Sequence, residues 1–215
     1  MKNILLTLLF LLLNFLSVCG QNEERNKKSD YPFIKPEFIL DGRRTLVSDQ
    51  GARLGGIRIG LEMNRVNRFG FGFYSFSKSV STTTLNEISS NITSADLELN
   101  YASIYYERVL LFTKKYEWSS TLHLGVGNVS GSYTYADGSV GNYNEPLQLT
   151  EISTTLFRHF TYFMSIGAGI GYRQTRNAPE ELLPIYNAPV FLVKFRFQPI
   201  KAVRGIWNKD IRKRY

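Results

Sequence analysis

The chain has 215 residues, of which 43% are hydrophobic, 14% aromatic and 20% charged, with one cysteine and two histidines. That length suits one domain after removal of any leader, and so few cysteines exclude a disulfide-stapled scaffold. The formal charge of +8 would suit a nucleic-acid binder, but the export signal described next argues against nucleic acid as a partner, and Lys201, Arg204, Lys209, Arg212, Lys213 and Arg214 crowd the excess into the last residues.

Residues 1–20 read as a signal peptide: Lys2, an apolar run from Ile4 to Leu16, then Ser17-Val18-Cys19-Gly20. The run is too short to cross a bilayer as a helix, which takes about 20 apolar residues. Cleavage after Gly20 is the first reading. A lipoprotein-type cleavage that leaves Cys19 acylated is the second, although Val18 stands where a smaller residue is usual. Residues 21–37, polar and carrying Pro32, read as a periplasmic lead-in.

From Phe38 to Gln198 hydrophobic residues tend to occupy every second position, the period of a strand with two unlike faces. The pattern is plainest in Arg68-Phe69-Gly70-Phe71-Gly72-Phe73 and in Met164 to Tyr172. It predicts about eight strands: 38–47, 53–63, 68–78, 96–110, 116–133, 147–157, 162–173 and 189–198. The connections Asn64 to Asn67, Leu111 to Lys115 and Arg158 to Thr161 are short. Those over Ser79 to Ala95, Thr134 to Pro146 and Gln174 to Ala188 are long, and Ser48 to Ala52 is a short exception among them. This is the length alternation of an antiparallel up-and-down transmembrane β-barrel.

Parity sets Ile57, Ile59, Leu61 and Met63 on one face, as it does Leu97, Leu99 and Tyr101, then Leu122, Leu124 and Val126, then Phe191, Val193, Phe195 and Phe197. The opposite faces carry Arg58, Gly60 and Glu62, then Glu98 and Asn100, then His123 and Gly125, then Lys194 and Arg196. A soluble lipocalin-like barrel would turn the apolar face inward. Glycine-rich polar faces, aromatic residues near strand ends and the lack of a glycine-x-tryptophan signature favour the opposite arrangement. On that reading Phe69, Phe71, Phe73, Ile166, Ile170 and Phe195 face lipid. An eight-stranded barrel has room inside only for its own side chains. Asp41, Arg43, Arg58, Glu62, Glu98, Glu151, Arg173, Lys194 and Arg196 are therefore expected to form a lumen network of opposite charges.

In these features the chain resembles the small outer-membrane β-barrel superfamily of Gram-negative bacteria, which includes outer-membrane protein A-like and X-like barrels. Asp41-Gly42-Arg43-Arg44, Gly55 to Glu62 and Arg68 to Tyr74 look like the opening strands of such barrels. The resemblance implies location in the cell outer membrane, with the long loops extracellular and both termini periplasmic. It also implies two partners, outer-membrane lipid and the barrel-insertion machinery, which in this family reads a terminal aromatic residue. Phe197 is the candidate here, read internally because the basic tail, residues 199–215, follows it; the alternative is that Tyr215 takes its place.

Lipid A deacylases and palmitoyltransferases show that small barrels can be enzymes. His123, placed in the lumen by parity, and His159, in a turn, match no histidine-x-serine deacylase pattern, so no catalytic residue is assigned. Two separated histidines and a leader cysteine make no metal site, and nothing indicates a cofactor. The expected function is a non-enzymatic integral barrel with a structural or surface-interaction role. The alternatives are an accessory subunit of a larger outer-membrane complex for secretion, assembly or import, and, less favoured, a lipid-modifying enzyme. Other envelope proteins are candidate partners. They would meet the loop tyrosines Tyr133, Tyr135 and Tyr143, the segment Pro179 to Pro184, or the tail, where Trp207 sits among Lys201, Arg204, Lys209, Arg212, Lys213 and Arg214.

Overall fold

A strand with one charged and one apolar face must hide one of them, and a sheet leaves no edge only if it closes on itself. The computed structural model describes residues 34–47, 50–80, 92–161, 163–177, 186–200 and 202–203. It contains eight strands: β1 (Ile34–Val47), β2 (Gln50–Met63), β3 (Asn67–Val80), β4 (Ile92–Phe112), β5 (Tyr116–Tyr135), β6 (Val140–His159), β7 (Met164–Arg176) and β8 (Pro189–Phe197). Each pairs antiparallel with the next, and β1 closes the barrel on β8 from Phe38 opposite Phe197 to Thr45 opposite Val190. The leader with Cys19, most of the lead-in, Pro179 to Pro184 and the tail residues Lys201, Arg204, Trp207, Lys209, Arg212, Lys213 and Arg214 lie outside the described residues.

Register fixes the strand tilt. From Phe38 the row of partners runs through Ile59, Phe71, Ile104, Leu124, Thr150 and Gln174, so a circuit returns to β8 beyond its paired end. Such stagger is what an eight-stranded sheet needs in order to close around filled space. The connections Asn64–Val66, Thr113–Lys115 and 160–163 gather at one end with both ends of the barrel sequence, Ile34 and Phe197. In the first of them Asn64 and Arg65 adopt positive φ, 51° and 59°. The strand ends Val47, Gln50, Val80, Ile92, Tyr135, Val140, Arg176 and Pro189 lie at the opposite end.

Strand boundaries depart from the sequence expectation by up to four residues, and by seven at the start of β6; two of these differences matter for the lumen and the rim. β1 begins at Ile34 rather than Phe38, because Lys35 and Glu37 continue the inward parity of Ile39 and Asp41. The expected long loop from Thr134 to Pro146 is mostly strand, closed by a tight turn at Asp137 and Gly138. Gly138 takes φ 82°, a conformation that favours glycine. Asp137 accepts hydrogen bonds from the Ser139 hydroxyl at 2.6 Å and the Ser139 amide at 2.9 Å. These hold its exposed carboxyl below the usual aspartate value. As a result β4, β5 and β6 have 21, 20 and 20 residues, against 14 in β1 to β3, 13 in β7 and 9 in β8. Pairing of β6 with β7 stops at Gln148 opposite Arg176, whereas β5 and β6 remain paired to Thr134 opposite Val140. The β5–β6 hairpin and the adjoining start of β4 therefore stand beyond the rim.

The outward surface is apolar around the barrel. Phe71, Phe73 and Ile170 are each about 60% exposed, and Phe69 and Ile166 are exposed as well, while Phe195 faces outward half-buried. Phe112, Tyr116, Trp118 and Phe160 cluster outward near the short connections, and Asn100, Asn128, Gln148 and Gln174 face out near the other rim. An apolar belt this continuous far exceeds the few hundred Å² that a water-soluble monomer exposes. Its inversion of charge inside and hydrocarbon outside rules out the lipocalin-like arrangement.

Candidate functional site

Alternate residues of every strand project into the barrel, where they meet in two layers of charge. Toward the short connections, Arg68 is held by four carboxylates. It donates to Glu62 at 2.9 Å, to Glu107 at 2.9 Å and to Glu117 at 2.6 Å, and its Nε lies 3.3 Å from Glu37. Arg196 reaches Glu107 and Glu117 through its two terminal nitrogens and lies over the Phe157 ring at 3.7 Å. Arg58 donates to Glu107 at 2.9 Å and covers the Tyr105 ring at 3.8 Å. Lys35 lies 3.7 Å from Glu62, which also accepts from Gln198 at 2.9 Å. Four cations, Lys35, Arg58, Arg68 and Arg196, thus face four acids, Glu37, Glu62, Glu107 and Glu117, and all are buried.

The second layer is organised by Arg43. It donates to Asp41 at 2.9 Å, Glu151 at 2.6 Å, Tyr74 at 2.7 Å and Tyr101 at 2.9 Å. Arg173 adds a bond to Glu151 at 3.3 Å, and Lys194 donates to the Thr155 hydroxyl at 3.0 Å. His123 Nε2 lies 3.3 Å from Arg43, which can only donate, so Nε2 accepts and Nδ1 carries the proton toward Ser103 at 3.3 Å. Tyr74 and Tyr101 stack with centroids 4.7 Å apart beside this group. Above it, Leu54, Leu99, Val129, Leu147, Leu149 and Tyr186 fill the mouth toward the long connections.

Of the nine charged residues expected in the lumen, Asp41, Arg43, Arg58, Glu62, Glu151, Arg173, Lys194 and Arg196 are buried there. Glu98 is not: it is exposed on the outer wall, 3.5 Å from the Ser130 hydroxyl. The parity of β4 is the reverse of that expected, with Leu99, Tyr101, Tyr105 and Glu107 inward and Glu98, Asn100 and Ile104 outward. Tyrosine prefers the inside here because its ring covers a guanidinium while its hydroxyl is bonded. This reversal hid Glu107, the acid shared by Arg58, Arg68 and Arg196. Lys35 and Glu37 were hidden by the late start assigned to β1, whereas Arg68 and Glu117 share the parity of Gly70 and His123 and were open to inference. His159 lies 5.7 Å from Phe112, centroid to centroid, near the short connections. The side chains of Tyr133 and Tyr143 lie outside the described residues.

The tyrosines fit because glycines face them. A Cβ on Gly60 would overlap the Tyr105 hydroxyl and come within 2.8 Å of the Phe69 carbonyl. Gly60→Ala is expected to displace the ring, break its 3.2 Å bond to Glu37 and cost about 1 to 3 kcal/mol, read as a lower urea midpoint in micelles. An unchanged midpoint would show that the ring has room to move.

No family model matches the chain, and no curated protein matches it. Solved structures do. The N-terminal β-barrel domain of Pseudomonas aeruginosa OprF aligns with TM-score 0.50 and 13% identity over 76% of this chain and 96% of that one. Neisserial surface protein A aligns with TM-score 0.48 and 11% identity, over 78% and 97%. Ail, the attachment invasion locus protein of Yersinia pestis, solved with the heparin analogue sucrose octasulfate, aligns with TM-score 0.44 and 12% identity, over 76% and 97%. With its eight strands closed in sequence order, this chain has the fold of the small outer-membrane β-barrels.

Proposed function

We propose that the protein is a non-enzymatic integral barrel of the outer membrane that closes its own lumen and acts through its surface. The observation that carries this reading is the pairing of buried charge inside with an apolar belt outside. Lipid can solvate that belt, whereas a diffusing solute would have to displace Arg43, Arg68 or Arg196 from two or more carboxylates each. His123 is enclosed among Arg43, Ser103, Tyr74 and Tyr105, which supports a packing role for it rather than a catalytic one. The short connections and both termini then face the periplasm, and the projecting β5–β6 hairpin, with the start of β4 beside it, faces outward.

Arg58→Ala is expected to remove heat-resistant migration of the folded barrel without creating ion conductance in a planar bilayer. Leaving Glu107 short of a partner costs about 3 to 5 kcal/mol, while Arg43, Arg68 and Arg196 still obstruct the lumen. Large, stepwise single-channel currents from the parent protein would overturn the closed-lumen reading.

The projecting ends of β4, β5 and β6 also favour a second reading, an accessory subunit of a larger outer-membrane complex, because strands that continue past the lipid belt offer paired surface to a partner. Mild detergent extraction followed by native sizing separates the two. A larger complex that shrinks when residues 201–215 are removed supports the accessory role, and a monomer unchanged by that truncation supports the stand-alone barrel.

A further inference from the structure

The lipid-facing wall has a gap. Ala102 points outward from β4 with Phe73 and Val126 as its cross-strand neighbours. A methyl group between a phenyl and an isopropyl group leaves a trench. Two adjoining hollows of about 600 Å³ each open there, and Phe73 and Ala102 line both. That size falls within the roughly 300 to 1,000 Å³ of small-molecule sites.

The first hollow runs between Ile57 and Phe73 over Gly55, Ser75 and Asn100. At Gly55 an added Cβ would meet nothing within 4 Å, so barrel packing does not require glycine there. The second runs between Phe71 and Phe73 on one side and Leu124 and Val126 on the other. Its wall toward the long connections is polar: Thr150, Gln148 and Arg176, the last two being cross-strand partners. All three are exposed. The outward carboxylates Asp96 and Glu98, opposite Ser132 and Ser130, lie nearer the long connections, and Glu145 follows the inward parity of Leu147, which leaves the Arg176 guanidinium at the head of the hollow.

We propose that the two hollows hold two acyl chains of one phospholipid of net negative charge in the leaflet next to the long connections, divided by the Phe73 ring, with Arg176 receiving the phosphate. This rests on the membrane reading above. The apolar lining, unbroken from Phe71 to Val126, suits hydrocarbon, and Arg176, the one cation among the described lining residues, supplies the charge complement of a phosphodiester. Gln148 and Thr150 stand beside that end as donors for the headgroup's remaining oxygens.

The test is native mass spectrometry of the detergent-extracted full chain, offered dimyristoyl phosphatidylglycerol and dimyristoyl phosphatidylcholine in equal amounts. The parent is expected to retain the glycerol lipid about fivefold over the choline lipid, the preference one cation gives near an anionic surface. Arg176→Gln should abolish that preference, and Ala102→Leu should reduce retention of both lipids by filling the trench. Equal retention of the two lipids by the parent, or a preference that survives Arg176→Gln, overturns the proposal, as does Ala102→Leu with undiminished binding. So does a lipid-free dimer, which would mean that a second copy of the chain covers the trench. Heat-resistant migration of each variant confirms a folded barrel. A chain that stays dissolved without detergent would instead refute the membrane reading, a result distinct from loss of lipid preference.

Discussion

Arg68→Met is expected to lower the unfolding free energy by about 3 to 5 kcal/mol, the usual consequence of removing one partner from a buried ion group. Arg68 is the point where Glu37, Glu62, Glu107 and Glu117 converge. Without it, Lys35, Arg58 and Arg196 would face four acids in a space from which water is largely excluded. The readout is the urea midpoint in lipid vesicles. Adding Glu62→Gln to Arg68→Met should recover part of the loss, because Glu62 gives Arg68 a contact that it shares with Lys35 and Gln198. The two substitutions belong to one network and will not be additive. A shift in midpoint equivalent to less than 1 kcal/mol would mean that water reaches the layer and solvates the acids left behind.

The second large effect is expected on the opposite face. Phe71, 61% exposed near the middle of the belt, is aligned with Ile59 and Ile104 on the neighbouring strands. Phe71→Arg should cost about 2 to 4 kcal/mol in vesicles, while Asn100→Arg, near the rim, should cost about 0 to 1. The contrast identifies the solvent. In water, exchanging an exposed phenylalanine for arginine would change stability little at either depth, so equal and small effects would sink the membrane assignment.

Much of this architecture is legible in the residues alone. Alternation in Arg68 to Phe73 and in Met164 to Tyr172 identifies strands, and the unequal connections identify an up-and-down barrel. Inward placement of Asp41, Arg43, Arg58, Glu151, Arg173, Lys194 and Arg196 follows from parity, since a one-residue slip would carry every one of them into the belt. The hairpin at Asp137 and Gly138 was also written in the sequence, in an aspartate-glycine pair of the kind that closes tight turns, although its polar surroundings read as loop.

Other features depended on the closed sheet. Glu98 and Glu107 lie on opposite faces of β4, and local hydrophobicity assigns that strand wrongly, because Leu99 and Tyr101 look as suited to lipid as Ile104 does. Their burial is decided at a distance: Tyr101 stacks on Tyr74 from the neighbouring strand and accepts from Arg43 across the barrel, and Leu99 joins the apolar mouth. Likewise, one-dimensional order can list acids and bases but cannot say that Glu107 serves Arg58, Arg68 and Arg196 together. That sharing arises only when the staggered register brings β2, β3, β4 and β8 around one axis. Sequence alone thus determined the strand period, the closure and most of the charged face, because these are local consequences of side-chain alternation. Tertiary structure decided the pairing of those charges, the reversed face of β4 and the trench beside Ala102, because each depends on which residues the tilt of a closed sheet makes neighbours.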